Sequence, residues 1–145
     1  MNEENKYDCL KLDNQLCFPM YAASRKIVKT YTPYLKPLGL TYTQYITLMV
    51  LWEEGEVKIK DLGEKLYLDT GTLTPLLKKM EDAGLLTRKR SEEDERVVNV
   101  KITDKGMQLR DKCLDIPAKV GGCVCIKESD IEPLYRALHA ILNEK

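Results

Sequence analysis

Five cysteines and one histidine are the side chains of this chain best suited to chemistry near neutral pH. Cys9, Cys17, Cys113, Cys123 and Cys125 are odd in number and irregularly spaced, which suits reactive or incidental thiols better than a disulfide framework. No Cys-x-x-Cys pair occurs and His139 stands alone, so no metal site is expected, although Cys123-x-Cys125 with Cys113 offers thiolates in principle. Cys17 sits in "NQLCFPMY", residues 14 to 21, where Asn14 or Asp13 can cap a helix and leave the thiol in its first turn. The positive end of the helix dipole favours a thiolate there, and the thiolate is the nucleophile. A helix that starts only at Pro19 still leaves Cys17 beside that end. No Lys or Arg is close in sequence, so further stabilisation has to come from hydrogen-bond donors brought by folding. On local sequence alone, a cysteine between Leu16 and Phe18 has the inert buried thiol as its commoner fate.

The elements that must hold these residues read as mostly helical. Leu16, Met20, Ile27, Val28, Tyr31 and Leu35 keep near-helical spacing, and Tyr45, Leu48, Met49 and Trp52 follow the break Pro37-Leu38-Gly39. Ile59, Leu62 and Leu66 make a short amphipathic helix; Leu73, Leu76, Leu77 and Met80 make another, stopped by Gly84. The period then changes to two in "RVVNVKI", a half-buried strand that can pair with Leu85 to Lys89 across the polar tip Ser91 to Glu95. Thr103 to Gly106 opens a further helix, and Ile131 to Leu142 forms a last amphipathic one.

The predicted fold is mainly α with a small two-stranded β wing, a winged helix-turn-helix inside a helical frame, and one domain over residues 1–145. Such a unit lays its second short helix in a DNA major groove and sets its wing near the backbone or minor groove. The formal net charge is zero, so any DNA-binding face must be local. No apolar run approaches the roughly 18–20 residues that span a bilayer, and "MNEENKYDCLKLDNQ" lacks the basic start and apolar stretch of a secretory signal. A cytoplasmic protein with reduced thiols is expected.

The string "LGEKLYLDTGTLTPLLKKMEDAGLLTRKRSEEDERVVNVKITDKG" closely resembles the winged helix-turn-helix of the MarR family of dimeric bacterial transcription factors. "NQLCFPMYAASRKIVKTY" narrows the resemblance to the organic-hydroperoxide-sensing repressors of that family, usually called OhrR. It covers about residues 10 to 117 and is weaker beyond. It implies a homodimer joined through helices at about 10–37 and 103–145, a reading head at about 56–102, a pseudo-palindromic double-stranded operator, and an organic hydroperoxide as signal. It implies no cofactor and no enzymatic turnover; a thiol peroxidase and a repressor gated by a small phenolic ligand are the alternatives.

Residue by residue, the resemblance makes Cys17 the redox sensor, oxidised to sulfenic acid. Tyr31 and Tyr42 match the family's two tyrosines that reach the sensing thiolate across the dimer interface. Cys123 or Cys125 lie about where the two-cysteine branch keeps a resolving thiol, after the pair Gly121-Gly122; a small cellular thiol is the alternative, and Cys9 and Cys113 have no role assigned. Thr72, Thr74, Pro75, Lys78 and Lys79 form the DNA-facing side of the recognition helix, with Asp69 or Thr70 as its cap and Pro75 shared with the family's matching segment. In the wing, Arg88 supplies charge, and the family's Asp-x-Arg implies that Asp94 holds the Arg96 guanidinium and aims it into the minor groove.

Overall fold

Thr41 and Gln44 start the central helix with a reciprocal cap: the Thr41 hydroxyl accepts from the Gln44 amide, while the Gln44 side chain accepts from the Thr41 N–H at 2.9 Å. In the computed structural model, which describes residues 6–143, that helix is α2, Tyr42–Glu54. Before it comes α1, Cys17–Leu35, joined through a 3₁₀ turn and Gly39, whose φ of 70° suits a residue without Cβ. After it come β1, Glu56–Lys58, then α3, Ile59–Leu66, and α4, Thr70–Asp82. The wing is the hairpin of β2, Leu86–Arg90, and β3, Val98–Ile102, and the chain ends in α5, Asp104–Cys113, α6, Ile116–Gly121, and α7, Glu128–Asn143. Residues 1–5 and 144–145, the outer ends of the expected domain and the start of the segment read for a leader, lie outside the described residues.

Leu35 of α1, Leu48 and Leu51 of α2, Leu62 of α3, Leu73, Leu77 and Met80 of α4, and Leu86 and Val100 of the hairpin belong to one buried cluster. Full burial of each such side chain contributes about 1.5–3 kcal/mol relative to water. The helix pair and the hairpin are thereby fixed to the central helix, and the reading head moves as a unit.

Three local differences from the sequence reading have physical causes. The two-stranded wing gains a third strand, because β1 pairs antiparallel with β3 through Val57 and Val100 in the order β1-β3-β2. Three residues with one inward side chain are too short to show a period of two. The wing strand begins at Leu86 and not Leu85, because Leu85 closes the end of α4. Its N–H bonds the Met80 carbonyl and that of Gly84, at φ 74°, bonds Glu81, which satisfies the last free carbonyls of the helix. Three C-terminal helices replace the expected two, since Pro117 cannot donate to the Cys113 carbonyl and α5 stops there.

No helix among the described residues is long and apolar enough to cross a membrane. On α7, Ile131, Leu134, Tyr135, Leu138, Ile141 and Leu142 are all exposed, as are Leu16, Phe18 and Tyr21 around the start of α1.

Candidate sensing thiol and DNA interface

Asp69 caps α4: its carboxylate accepts from the Thr72 amide at 2.9 Å and from the Thr72 hydroxyl at 3.0 Å. Those bonds, the backbone one first, hold the carboxyl below its usual range. Asp69 is thus committed to capping the helix. Thr70, Thr72, Thr74, Pro75, Lys78 and Lys79 are all exposed, opposite the buried Leu73, Leu77 and Met80. The Thr74 hydroxyl donates back to the Thr70 carbonyl at 2.8 Å beside Pro75, which has no N–H of its own. Both hydroxyl protons are thus engaged, and the Thr72 and Thr74 oxygens keep their acceptor lone pairs.

Between α3, α4 and the wing runs a cleft whose charged lining is Lys58, Lys60, Arg88 and Arg96 against one acid, Asp61, with Thr70 and Thr74 beside them. Lys58 and Lys60 flank the first residue of α3 and are exposed, a cation pair at a helix start that the sequence displays and that the motif reading passed over. Arg88 plays a different part from the one expected. Its guanidinium grips the Glu81 carboxylate through Nε at 3.0 Å and Nη2 at 2.9 Å, and its backbone N–H donates to the other Glu81 oxygen at 2.8 Å. With both guanidinium nitrogens on one Glu81 oxygen and the backbone N–H on the other, β2 is fastened to the last turns of α4, so the Arg88 charge is paired and not free. The proposed Asp94–Arg96 pairing also differs: the Asp94 carboxylate accepts from the Arg96 backbone N–H at 3.0 Å, and no ion pair holds the Arg96 guanidinium among the described residues. Asp94 shapes the tip as a turn and leaves the exposed Arg96 side chain free beside the cleft.

The backbone N–H of Arg88, and then its guanidinium, hold Glu81 below its ordinary value. A carboxyl depressed in the folded state adds stability that is complete above its unfolded value, about 4.3, and is lost as pH falls through the folded value. Glu81→Gln should therefore be less stable than wild type at neutral pH and converge on it below about pH 4. Urea midpoints between pH 7 and 3 measure this; parallel curves for the two proteins would show that the pair carries no linked stability.

Cys17 is the first residue of α1 and is exposed. Neither expected cap forms: the Asn14 amide donates to the Asp8 carbonyl at 2.7 Å, Asp13 and Asn14 belong to a separate 3₁₀ turn, and no side chain caps α1. The leading amides of α1 are left without side-chain acceptors beside the thiol. Leu16 is 75% exposed and Phe18 43%, so the apolar residues around Cys17 form a surface in one chain, not a pocket.

Tyr31 and Tyr42 pack as tilted rings with centroids 4.8 Å apart, and Tyr45 joins them at 5.8 and 6.4 Å. Burial first, and then the neighbouring Tyr31, raise the Tyr42 and Tyr45 phenols above their usual value. At 1.5 Å per residue, Tyr31 lies about 21 Å along α1 from Cys17. A Cys17 thiolate cannot reach the Tyr31 hydroxyl of its own chain.

Cys123 follows α6, its sulfur 3.3 Å from the Lys119 carbonyl, and Cys125 is exposed two residues on. Negative charge on a Cys123 thiolate, then burial and a hydrogen bond with Cys123, raise the Tyr34 phenol above its usual value, so Cys123 stands beside Tyr34, which lies about 25 Å along α1 from Cys17. Neither Gly121 nor Gly122 has positive φ. Cys9 is exposed, and Cys113 is buried with its thiol raised by that burial. Among the described residues no three His, Cys, Asp or Glu side chains cluster as metal ligands.

Residues 29–113 match the family model described as Transcriptional regulator SarA/Rot. The chain is 50% identical over 140 residues to the organic hydroperoxide resistance transcriptional regulator of Bacillus subtilis, covering 97% of this chain and 95% of that protein. It belongs to the SarA/Rot-type, MarR-family winged-helix transcriptional regulators. Among solved structures, reduced AbfR bound to DNA superposes with a TM-score of 0.77 at 33% identity, covering 94% of this chain and 96% of that one. Disulfide-formed AbfR superposes at 0.65 with 32% identity, over 98% and 100% of the two chains; AbfR is a protein of Staphylococcus epidermidis. Members of this family are transcriptional regulators, not enzymes.

Proposed function

We propose that this chain is a cytoplasmic homodimeric repressor that holds a pseudo-palindromic operator while Cys17 is reduced and leaves it when an organic hydroperoxide oxidises that thiol. The observation that carries this reading is the exposed thiol at the uncapped start of α1, in a chain whose exposed α4 face and adjoining cleft are cationic. The Tyr31 and Tyr42 hydroxyls that would hold a Cys17 thiolate come from a second copy, because Tyr31 of the same chain is out of reach. The exposed apolar residues of α7 and of the start of α1 supply the surface for that copy. Two half-sites about one helical turn apart then face the two α4 helices.

The Cys17 thiolate attacks the terminal oxygen of R–O–OH. The O–O bond breaks, sulfur is oxidised to the sulfenic acid, and the alkoxide that leaves with the electron pair takes a proton to become the alcohol. A second thiol then displaces water from the sulfenic acid to give a disulfide. Cys123 or Cys125 of the partner subunit is that thiol, since within one chain Cys123 and Cys17 lie toward opposite ends of α1, and Cys123 is preferred as the nearer to Gly121-Gly122. The partner must bring its C-terminal loop to the start of α1 for this bond to form.

The test is to measure DNA binding and covalent state together. Addition of cumene hydroperoxide should lower operator affinity and yield a dimer on non-reducing gels, absent from Cys17→Ser and from the Cys123→Ser/Cys125→Ser double variant. A wild-type protein that releases DNA while staying monomeric on the gel and gaining only the mass of an added small thiol would assign resolution to the cell's thiol pool.

A further inference from the structure

The sensing site and the recognition helix lie at different ends of the chain's fold, and a continuous set of contacts joins them. Tyr31, Tyr42 and Tyr45 pack against one another as tilted rings, and Tyr45 meets Trp52 edge-on with centroids 6.2 Å apart. Tyr42, Tyr45 and Trp52 all stand on α2, so this row spans about 15 Å of one rigid helix. At its far end the Trp52 indole N–H donates to the Gly106 carbonyl in the first turn of α5, at 2.9 Å.

Gly106 is pressed against the end of the recognition helix. A Cβ there would lie 2.2 Å from the Leu85 carbonyl oxygen, so no residue with a side chain allows so close an approach. The Thr103 hydroxyl donates to the Gly84 carbonyl at 2.6 Å and accepts the Gly106 N–H at 3.1 Å, and the Lys105 ammonium donates to the Ala83 carbonyl at 2.7 Å. The residues that close α4 and the first turn of α5 are thus bonded into one block, and the indole bond adds a directed polar tie, beside the shared apolar core, between that block and the helix carrying the sensing tyrosines. A phenylalanine would pack in the same half-buried place; only indole adds a directed donor to a backbone carbonyl.

We propose that Trp52 is a positioning residue that transmits the state of the Cys17 site to the recognition helix through its bond to Gly106. This rests on the reading that Cys17 oxidation releases DNA. While Cys17 is reduced the shared apolar core holds the α4–α5 block in its DNA-binding attitude; displacement of the partner's thiolate from the tyrosines shifts α2, and the indole bond carries that shift to the block.

Trp52→Phe in the full-length dimer tests this, since it keeps an aromatic ring and removes the donor. Reduced-state affinity for an operator duplex and the rate of Cys17 alkylation should stay within about twofold of wild type, whereas the loss of affinity on oxidation by cumene hydroperoxide should shrink from the roughly 5–150-fold usual for coupled sites to less than about threefold. Trp52 is the only tryptophan, so its emission is a second readout. It should change on oxidation of wild type and stay constant in Cys17→Ser. Equal release by Trp52→Phe and wild type, or constant Trp52 emission while wild type releases DNA, overturns the proposal and leaves the function intact. A wild type that keeps its DNA when oxidised removes both.

Discussion

Cys17→Ser should bind its operator as wild type does and stay bound when organic hydroperoxide is added. Serine keeps the size of the side chain but has no anion to offer near neutral pH, so the oxygen transfer that begins the response has no nucleophile. The expected contrast is therefore a loss of affinity of roughly 5–150-fold in wild type against none in the variant, measured by gel shift or anisotropy at fixed salt. The surroundings of Cys17 make it the exposed thiol placed to react: it stands at amides of α1 that no side chain caps, while Cys113 is buried and its thiol raised. Release by the variant at the wild-type hydroperoxide concentration would move the sensor to Cys9, Cys123 or Cys125.

Arg96→Ala should weaken operator binding by about 1–3 kcal/mol, roughly 5- to 150-fold, and lower the salt slope by about one. The size of the effect follows from how the wing's cations are used. Arg88 is consumed by Glu81, whereas the Arg96 guanidinium is exposed at the cleft in no ion pair among the described residues. Asp94→Ala should cause a smaller loss in the same direction, because it removes the acceptor that shapes the turn under Arg96 without removing the cation. Unchanged affinity and salt slope in Arg96→Ala, in a protein that still folds and dimerises, would make the tip a solvated charge run.

What the sequence displayed depended on whether a signal was periodic, local or long-range. The apolar stripe of α4, its stop at Gly84 and the alternation of β3 are periodic or single-residue signals, and each appears in the structure within one residue. The caps were only partly readable. Asp69 caps α4 as its type predicts, but Asn14, an equally good cap by type, spends its amide on Asp8 six residues back. Glu81 with Arg88 and Trp52 with Gly106 left no trace in any window, because they join residues that folding brings together from different elements. The Arg88 assignment shows the same limit: a cation in a wing strand reads as a DNA contact until its partner is known. The exposed lysines at the start of α3 were visible as a pair and simply not read as part of the interface.

The length of α1 decides when this protein acquires its sense. Cys17 and Tyr31 occupy one rigid helix about 21 Å apart, so a newly made subunit carries a thiol and two tyrosines that never meet. On the proposed reading the detector is built only by pairing, and each dimer builds two of them, the thiol of each drawn from one chain and its tyrosines from the other. In a cell that makes wild-type and Cys17→Ser subunits together, a mixed dimer keeps one complete detector, made of the wild-type thiol and the variant's tyrosines. The blindness of such a mixture is then set by how the two wing heads share a single event, not by the proportion of thiols lost.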